Sequence, residues 1–243
     1  MLKIAEAVHD ERGMYGQDSK QQPGDQTGDE VRIVPYRNEF TVAYRCIDSG
    51  IAKNIAAAAI QAANNNMIGY GQGTPASGYR DRYGMYLEML KTKDISKINA
   101  PVDTDCVQMA ICCMIISGIN VTPYVSSSGI DAVLMKTGKF KKIVNFAPKD
   151  LKIGDIVWRT GHVAVVVEEG FANFVGKCNK DMAVVYDRPS GYRKYTLKEW
   201  PALGIGNMVD VVGEAKGKKW SFWEIIIAGK YKGYVRKKRI DRV

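Results

Sequence analysis

Thr104-Asp105-Cys106-Val107-Gln108-Met109-Ala110-Ile111-Cys112-Cys113-Met114-Ile115-Ile116 is a polar entry into a largely apolar run. Asp105 is a residue type that caps helices through its carboxylate, and Gly118 suits the far end, so the stretch predicts a helix over 106–117 with a cysteine on its first turn. A helix start gathers free N–H groups and partial positive charge, which favour thiolate over thiol. Working outward, Gly161-His162 opens a second apolar run, Val163–Val167, that reads as a strand. A cysteine at a helix start and a histidine at the head of a strand are the parts of a thiol hydrolase, in which the imidazole completes an ion pair with the sulfur. Only one other histidine exists, His9, and it sits beside Asp10 and Glu11 as a solvated residue would.

The 243 residues, 46% hydrophobic and 25% charged, suit one large domain or a medium domain with a small appendage. No apolar stretch approaches the roughly 20 residues needed to span a bilayer. The start, MLKIAEAVHDERG, lacks the long apolar segment of a secretory signal, which implies synthesis in the cytoplasm without a signal peptide. Five cysteines (46, 106, 112, 113 and 178) show no C-x-x-C spacing, and histidines are too few for a zinc site, so the reduced state is expected. No phosphate-binding glycine loop, glycosidase carboxylate pair or H-E-x-x-H motif is present, and no metal or organic cofactor is implied. The net charge of +9 is concentrated: residues 216–243 hold ten Lys/Arg against Glu224 and Asp241, an excess of eight. Such a block points to an anionic polymer as partner.

Along the chain, residues 1–16 read as a short amphipathic helix and 17–30 as loop. Val31–Pro35 and Thr41–Tyr44 are candidate strands, and Ile51–Ala63 is a helix capped by Asp48 or Ser49. A helix over 79–90, a linker over 99–104 and a short helix from Ser126–Ser128 towards Lys136 follow. From Ile156 the pattern becomes β, with Val163–Val167, Phe171–Val175 and Met182–Tyr186 as strands. Helices followed by strands argue for α+β with an antiparallel sheet. After Pro201, strands at 208–212, 223–227 and 233–235 suggest a small all-β module, giving domains at 1–195 and 203–243.

An imidazole base needs a third polar group to orient it. If Val163–Val167 and Phe171–Val175 form a hairpin, Asn173 lies beside His162; Asn179, Asp181 and Glu168 are less well placed. The backbone N–H of Cys106 would serve as an oxyanion donor. Asp25-Gln26-Thr27-Gly28 reads as a turn.

Thr104-Asp105-Cys106, the block Gly154-Asp155-Ile156-Val157-Trp158 followed by Gly161-His162-Val163-Ala164-Val165, and the stretches Gly24–Val31 and Ile68-Gly69-Tyr70 resemble the NlpC-type and CHAP-type cysteine peptidoglycan hydrolases. They are similar in particular to the endolysins of phages infecting Gram-positive bacteria. The resemblance covers about residues 1–190 and implies a papain-like fold. It further implies cleavage of an amide bond in peptidoglycan, between muramic acid and the stem peptide or within the peptide. Cys106 would be the nucleophile, His162 the base, and a polar residue on the next strand the third member. Val107 departs from the family's small hydroxylated residue after the cysteine. Gly206–Ile240 resembles the later strands of a bacterial SH3-like module, whose basic character suits anionic wall polymers such as teichoic acids. These resemblances imply action at the cell wall after release from the host, with neither a membrane span nor nucleic acid as partner. The rival readings are an acyl or peptidyl transferase on the same scaffold, a non-catalytic wall-binding or virion structural protein, and, last, a nucleic-acid binder acting through the basic tail.

Overall fold

The computed structural model describes residues 2–15, 22–73, 81–170, 174–190, 192 and 195–243. The first half holds β1 (Lys3–Ala7), β2 (Val31–Pro35), β3 (Val42–Cys46), α1 (Ser49–Ala63), β4 (Ile68–Tyr70), α2 (Gly84–Thr92), β5 (Val102–Thr104) and α3 (Cys106–Ile116). Next come α4 (Ile130–Lys136), β6 (Phe140–Val144), β7 (Ile156–Arg159), β8 (His162–Glu168), β9 (Phe174–Cys178), β10 (Ala183–Val184) and β11 (Ala202–Leu203). The chain closes with β12 (Met208–Lys216), β13 (Ser221–Ile227), β14 (Tyr231–Arg236) and β15 (Ile240–Arg242). The class is α+β.

A six-stranded sheet in the order β2-β1-β8-β7-β3-β6, every neighbouring pair antiparallel, is the frame of the first unit. Its two faces carry different layers. Ala5, Ala7, Val163, Val165 and Tyr44 join the core built on α1 and α3. Leu2, Ile4, Ala43, Val157, Ala164 and Val166 pack on the other side with Tyr36, Phe40 and Leu151.

The expected N-terminal helix over 1–16 is therefore a strand instead. β1 lies between β2 and β8 and buries both faces, so its apolar residues do not alternate with polar ones, and a short run of that kind has no periodicity to separate strand from helix. The expected linker over 99–104 contains β5, which pairs in parallel with β4. Strands and helices are also interleaved, rather than helices preceding strands. The short helix expected from Ser126 begins at Ile130.

Two helices hold the core. Asp48 caps α1, its Oδ1 accepting from the backbone N–H groups of Gly50 (2.8 Å) and Ile51 (3.0 Å). The buried alanines 52, 56, 58, 59 and 62 let that helix pack closely. The closeness is felt at Gly154, φ +81°, where an added Cβ would overlap the carbonyl group of Ala52. α3 is buried along nearly its whole length, from Cys106 to Met114. Truncating one of its fully buried side chains, Ile111 for example, would cost about 2–5 kcal/mol.

The second sheet has the order β14-β13-β12-β9-β15, with its own core of Val209, Val211, Ile225, Val235 and Ile240. β9 pairs with β12 and β15, not with β8, so the hairpin expected to follow the histidine strand is not formed. Sheet membership changes between Glu168 and Phe174; residues 174–184, expected to complete the first unit, contribute strands to the C-terminal one. Among the described residues no helix is long and apolar enough to cross a membrane.

Candidate active site

Cys106 begins α3 because Asp105 stops the preceding strand and caps the helix. The Asp105 backbone is extended (φ −107°, ψ 177°), and its Oδ1 accepts from the Gln108 N–H at 2.7 Å. Its other oxygen faces the Arg82 guanidinium at 3.4 Å. Asp105 is almost wholly buried, and burial raises its carboxyl above the usual range despite the Gln108 N–H and Arg82 acting the other way. In the same turn the Gln108 amide donates to the carbonyl of Pro123 (2.5 Å), tying the 123–125 loop to the helix start.

The Cys106 thiol is 4% exposed. Burial, with the Asp105 carboxylate beside it, pushes its pKa up to about 12, although the backbone N–H groups of Val163, Val107 and Cys106 itself act to lower it. The helix start does supply the N–H groups expected of it, but desolvation dominates, so the thiol is neutral in the resting protein. The remaining four cysteines are free and buried.

His162 opens β8 directly before Val163. Gly161, φ +79°, makes the turn that leads into the strand. Alternation sends Val163 towards the helix layer and groups His162 with Ala164 on the second layer, where its ring lies 5.9 Å from that of Phe40. The His162 Nε2 is 3.0 Å from Glu6 Oε2 on the neighbouring strand β1. Cys106 thus lies on the helix layer near the backbone of Val163, while the His162 imidazole is on the other layer and bonded to Glu6; among the described residues no hydrogen bond joins the two side chains.

Glu6 is fully buried and shared by three cationic or proton-bearing groups. Arg37 donates to both of its oxygens (3.0 and 2.5 Å), Arg32 donates to Oε1 through two nitrogens (3.3 Å each), and His162 meets Oε2. Burial would raise the Glu6 carboxyl; the hydrogen bonds from His162 and Arg37 outweigh it and bring the pKa down to about 2. An ionised carboxylate only accepts, so His162 Nε2 is the donor in this bond.

Asn173 lies outside the described residues. Asn179 bonds to Asp241 and the Lys238 carbonyl in the second unit, and Glu168 pairs with Lys3 at the far end of β8; neither is bonded to the imidazole. Asp181 lines a pocket of the C-terminal unit. Glu6 escaped the sequence reading because 1–16 was read as a helix. Its signal was an acid inside Leu-Lys-Ile-Ala-Glu-Ala-Val, a position that demands partners once the segment is a central strand.

The Gly24–Val31 stretch is a turn. Asp25 accepts from the backbone N–H groups of Thr27, Gly28, Glu30 and Val31, and Glu30 in turn accepts from the Tyr70 N–H at 2.7 Å. These acids organise backbone. His9 lies in the loop after β1, near Asp29 at 3.9 Å. Among the described residues no group of three or more His, Cys, Asp or Glu could hold a metal ion.

A family model described as "Endolysin-like domain" matches residues 4–173, from the start of the six-stranded sheet through its last strand. The chain belongs to the endolysin-like domain family, and its broad function is cell-wall lysis, with peptidoglycan as substrate. Comparison with curated proteins and with solved structures gives no match.

Proposed function

We propose that the chain hydrolyses an amide bond of peptidoglycan by cysteine chemistry on a papain-like, NlpC-type scaffold. Cys106 attacks the carbonyl carbon, its proton passes to His162 Nδ1, and the backbone N–H of Cys106 receives the developing oxyanion. The protonated imidazole then gives that proton to the leaving amine, and water hydrolyses the thioester. Glu6 acts as the positioning residue, holding the resting imidazole through Nε2, in the place the sequence reading gave to Asn173. Because the resting thiol is neutral, His162 works as a general base during attack rather than as half of a standing ion pair. In the resting structure the ring lies on the other layer against Glu6 and Phe40, so attack requires it to turn towards the sulfur at the first residue of β8, leaving the Glu6 bond as the resting arrangement. The bond is the muramoyl–alanine amide or one within the stem peptide. The basic C-terminal unit, SH3-like in this reading, holds anionic wall polymers.

One observation carries the proposal: α3, which Cys106 begins, packs on β8, which opens with an imidazole bonded to a buried carboxylate. Turbidity clearing of purified Gram-positive walls, with mass spectrometry of the released muropeptides, tests it. Cys106→Ala and His162→Ala should each abolish clearing, and the new amine and carboxyl ends identify the bond. Clearing by Cys106→Ala at the wild-type rate would sink the mechanism.

The buried, protonated thiol favours a second reading, a wall-binding protein in which Cys106 and His162 are structural. In that case the unaltered chain sediments with walls but releases no muropeptide.

A further inference from the structure

The C-terminal unit carries cations that the cleavage chemistry leaves unused. Lys180, Arg236 and Arg239 line a cavity of about 270 Å³, and Asp181 lines it as well. Arg236 also lines a second depression, of about 230 Å³, together with Trp220 and Lys238. Its guanidinium carbon lies 3.7 Å from the centre of the Trp220 ring. Its Nε is buried and has no hydrogen-bond partner. Such an orphaned donor on a cation carries a desolvation cost of about 1–3 kcal/mol or more, which an anionic oxygen in the cavity would relieve. Other basic residues nearby are already matched: Lys232 pairs with Glu224 and Lys237 with Glu214. Among the described residues the side chains of Lys180 and Arg239 have neither ion pair nor hydrogen bond.

We propose that these two depressions, joined by Arg236, form a subsite for successive phosphates of a phosphodiester-linked polyol polymer. Arg236 and Arg239 with Lys180 take one phosphate, Arg236 with Lys238 takes the next, and Trp220 offers its remaining edge to the polyol between them. A guanidinium suits phosphate because its planar fork can bind two oxygens at once. Asp181 admits a cationic substituent on the polymer next to the first phosphate. Nucleic acid is the poorer match. Trp220 is already covered by a guanidinium and Tyr186, in the first cavity, packs edge-on against Phe222, so the two rings offer no stacking array for bases, and among the described residues the unit has no α-helix to present to a groove. The anion chemistry stands on this geometry; the wall as source of the polymer rests on the reading in the preceding subsection.

The test is binding of the full chain to soluble poly(glycerol phosphate), followed by calorimetry and by tryptophan fluorescence across a salt series. Arg236→Gln/Arg239→Gln should weaken binding about tenfold or more and flatten the dependence of log K on log salt. Lys180→Gln/Arg239→Gln leaves the Arg236–Trp220 stack intact and should still weaken binding, which guards against a folding defect in the first variant. A control that removes two remote charges, Lys91→Gln/Lys97→Gln, should change affinity less than about twofold. Unchanged affinity in both pocket variants, or an equal loss in the control, overturns the subsite in favour of diffuse charge. Duplex DNA binding as tightly as the polymer at equal phosphate concentration overturns it in favour of nucleic acid. Binding is read without cleavage, so a failure here is distinguishable from a failure of the hydrolytic reading, which is scored by muropeptide release.

Discussion

Glu6 and His162, 156 residues apart in the chain, meet at 3.0 Å between neighbouring strands. The carboxylate does two things at once: it holds the imidazole through Nε2, and it pairs with the partly exposed Arg37 and Arg32.

Glu6→Gln separates those roles. The amide oxygen still accepts from His162 Nε2, but the charge is lost. We expect kcat on purified walls to fall about 10²–10⁴-fold with KM little changed. Because the Gln side chain can also turn its N–H₂ towards the ring, the ¹⁵N spectrum of His162 should change relative to the unaltered protein. A variant with normal kcat and altered stability alone would leave Glu6 a purely structural residue.

Acid stability follows from the same carboxyl. Its pKa falls from 4.5 unfolded to about 2 folded, so ionisation favours the folded state. The contribution is fully present above about pH 4.5 and is lost as pH falls through 2. Its size is about 3 kcal/mol. The urea midpoint should therefore decline over that window, and Glu6→Gln should flatten the decline while costing about 1–3 kcal/mol at neutral pH, since Arg37 keeps Glu39 and both arginines reach solvent.

The Cys106 thiol behaves in the opposite sense. Raised from 9.0 to about 12, it favours the protonated folded state, a contribution complete below pH 9 and lost as pH rises towards 12. Iodoacetamide at pH 8 should label the native chain slowly at Cys106 and label all five cysteines promptly in urea. Intact mass after a timed quench distinguishes the two; fast native labelling at Cys106 would show a thiolate and contradict this electrostatic account.

Gly154→Ala tests the packing of α1 on the sheet. The position combines a left-handed backbone with a Cβ that would enter the Ala52 carbonyl, and a loss of about 3 kcal/mol or more is expected. The melting temperature should drop by roughly 6–12 °C. Gly161→Ala has the same backbone sign but open space around it, and should cost less.

Cys106 at a helix start, the Asp105 cap and the strand opened by His162 were legible because each depends on its immediate neighbours in the chain. The Asp48 cap and the end of α1 were readable for the same reason. Asn173 was chosen on a hairpin between 163–167 and 171–175, and β9 pairs elsewhere because its partners β12 and β15 lie at least 30 residues further along. Glu6 was missed through the same kind of non-local decision: a five-residue apolar run becomes a strand only when β2 and β8 flank it. The neutral state of the thiol was likewise hidden, since burial around α3 is a property of the assembled core.

The place of β1 in the middle of its sheet has a consequence in time. As the chain grows, Glu6 can pair with Arg32 and Arg37 early, but its third partner, His162, is made some 125 residues after Arg37. Until β8 is synthesised, β1 has one flank and no imidazole. A chain shorter than about 160 residues therefore lacks the Glu6–His162 contact, which forms only when the last strand of that sheet arrives.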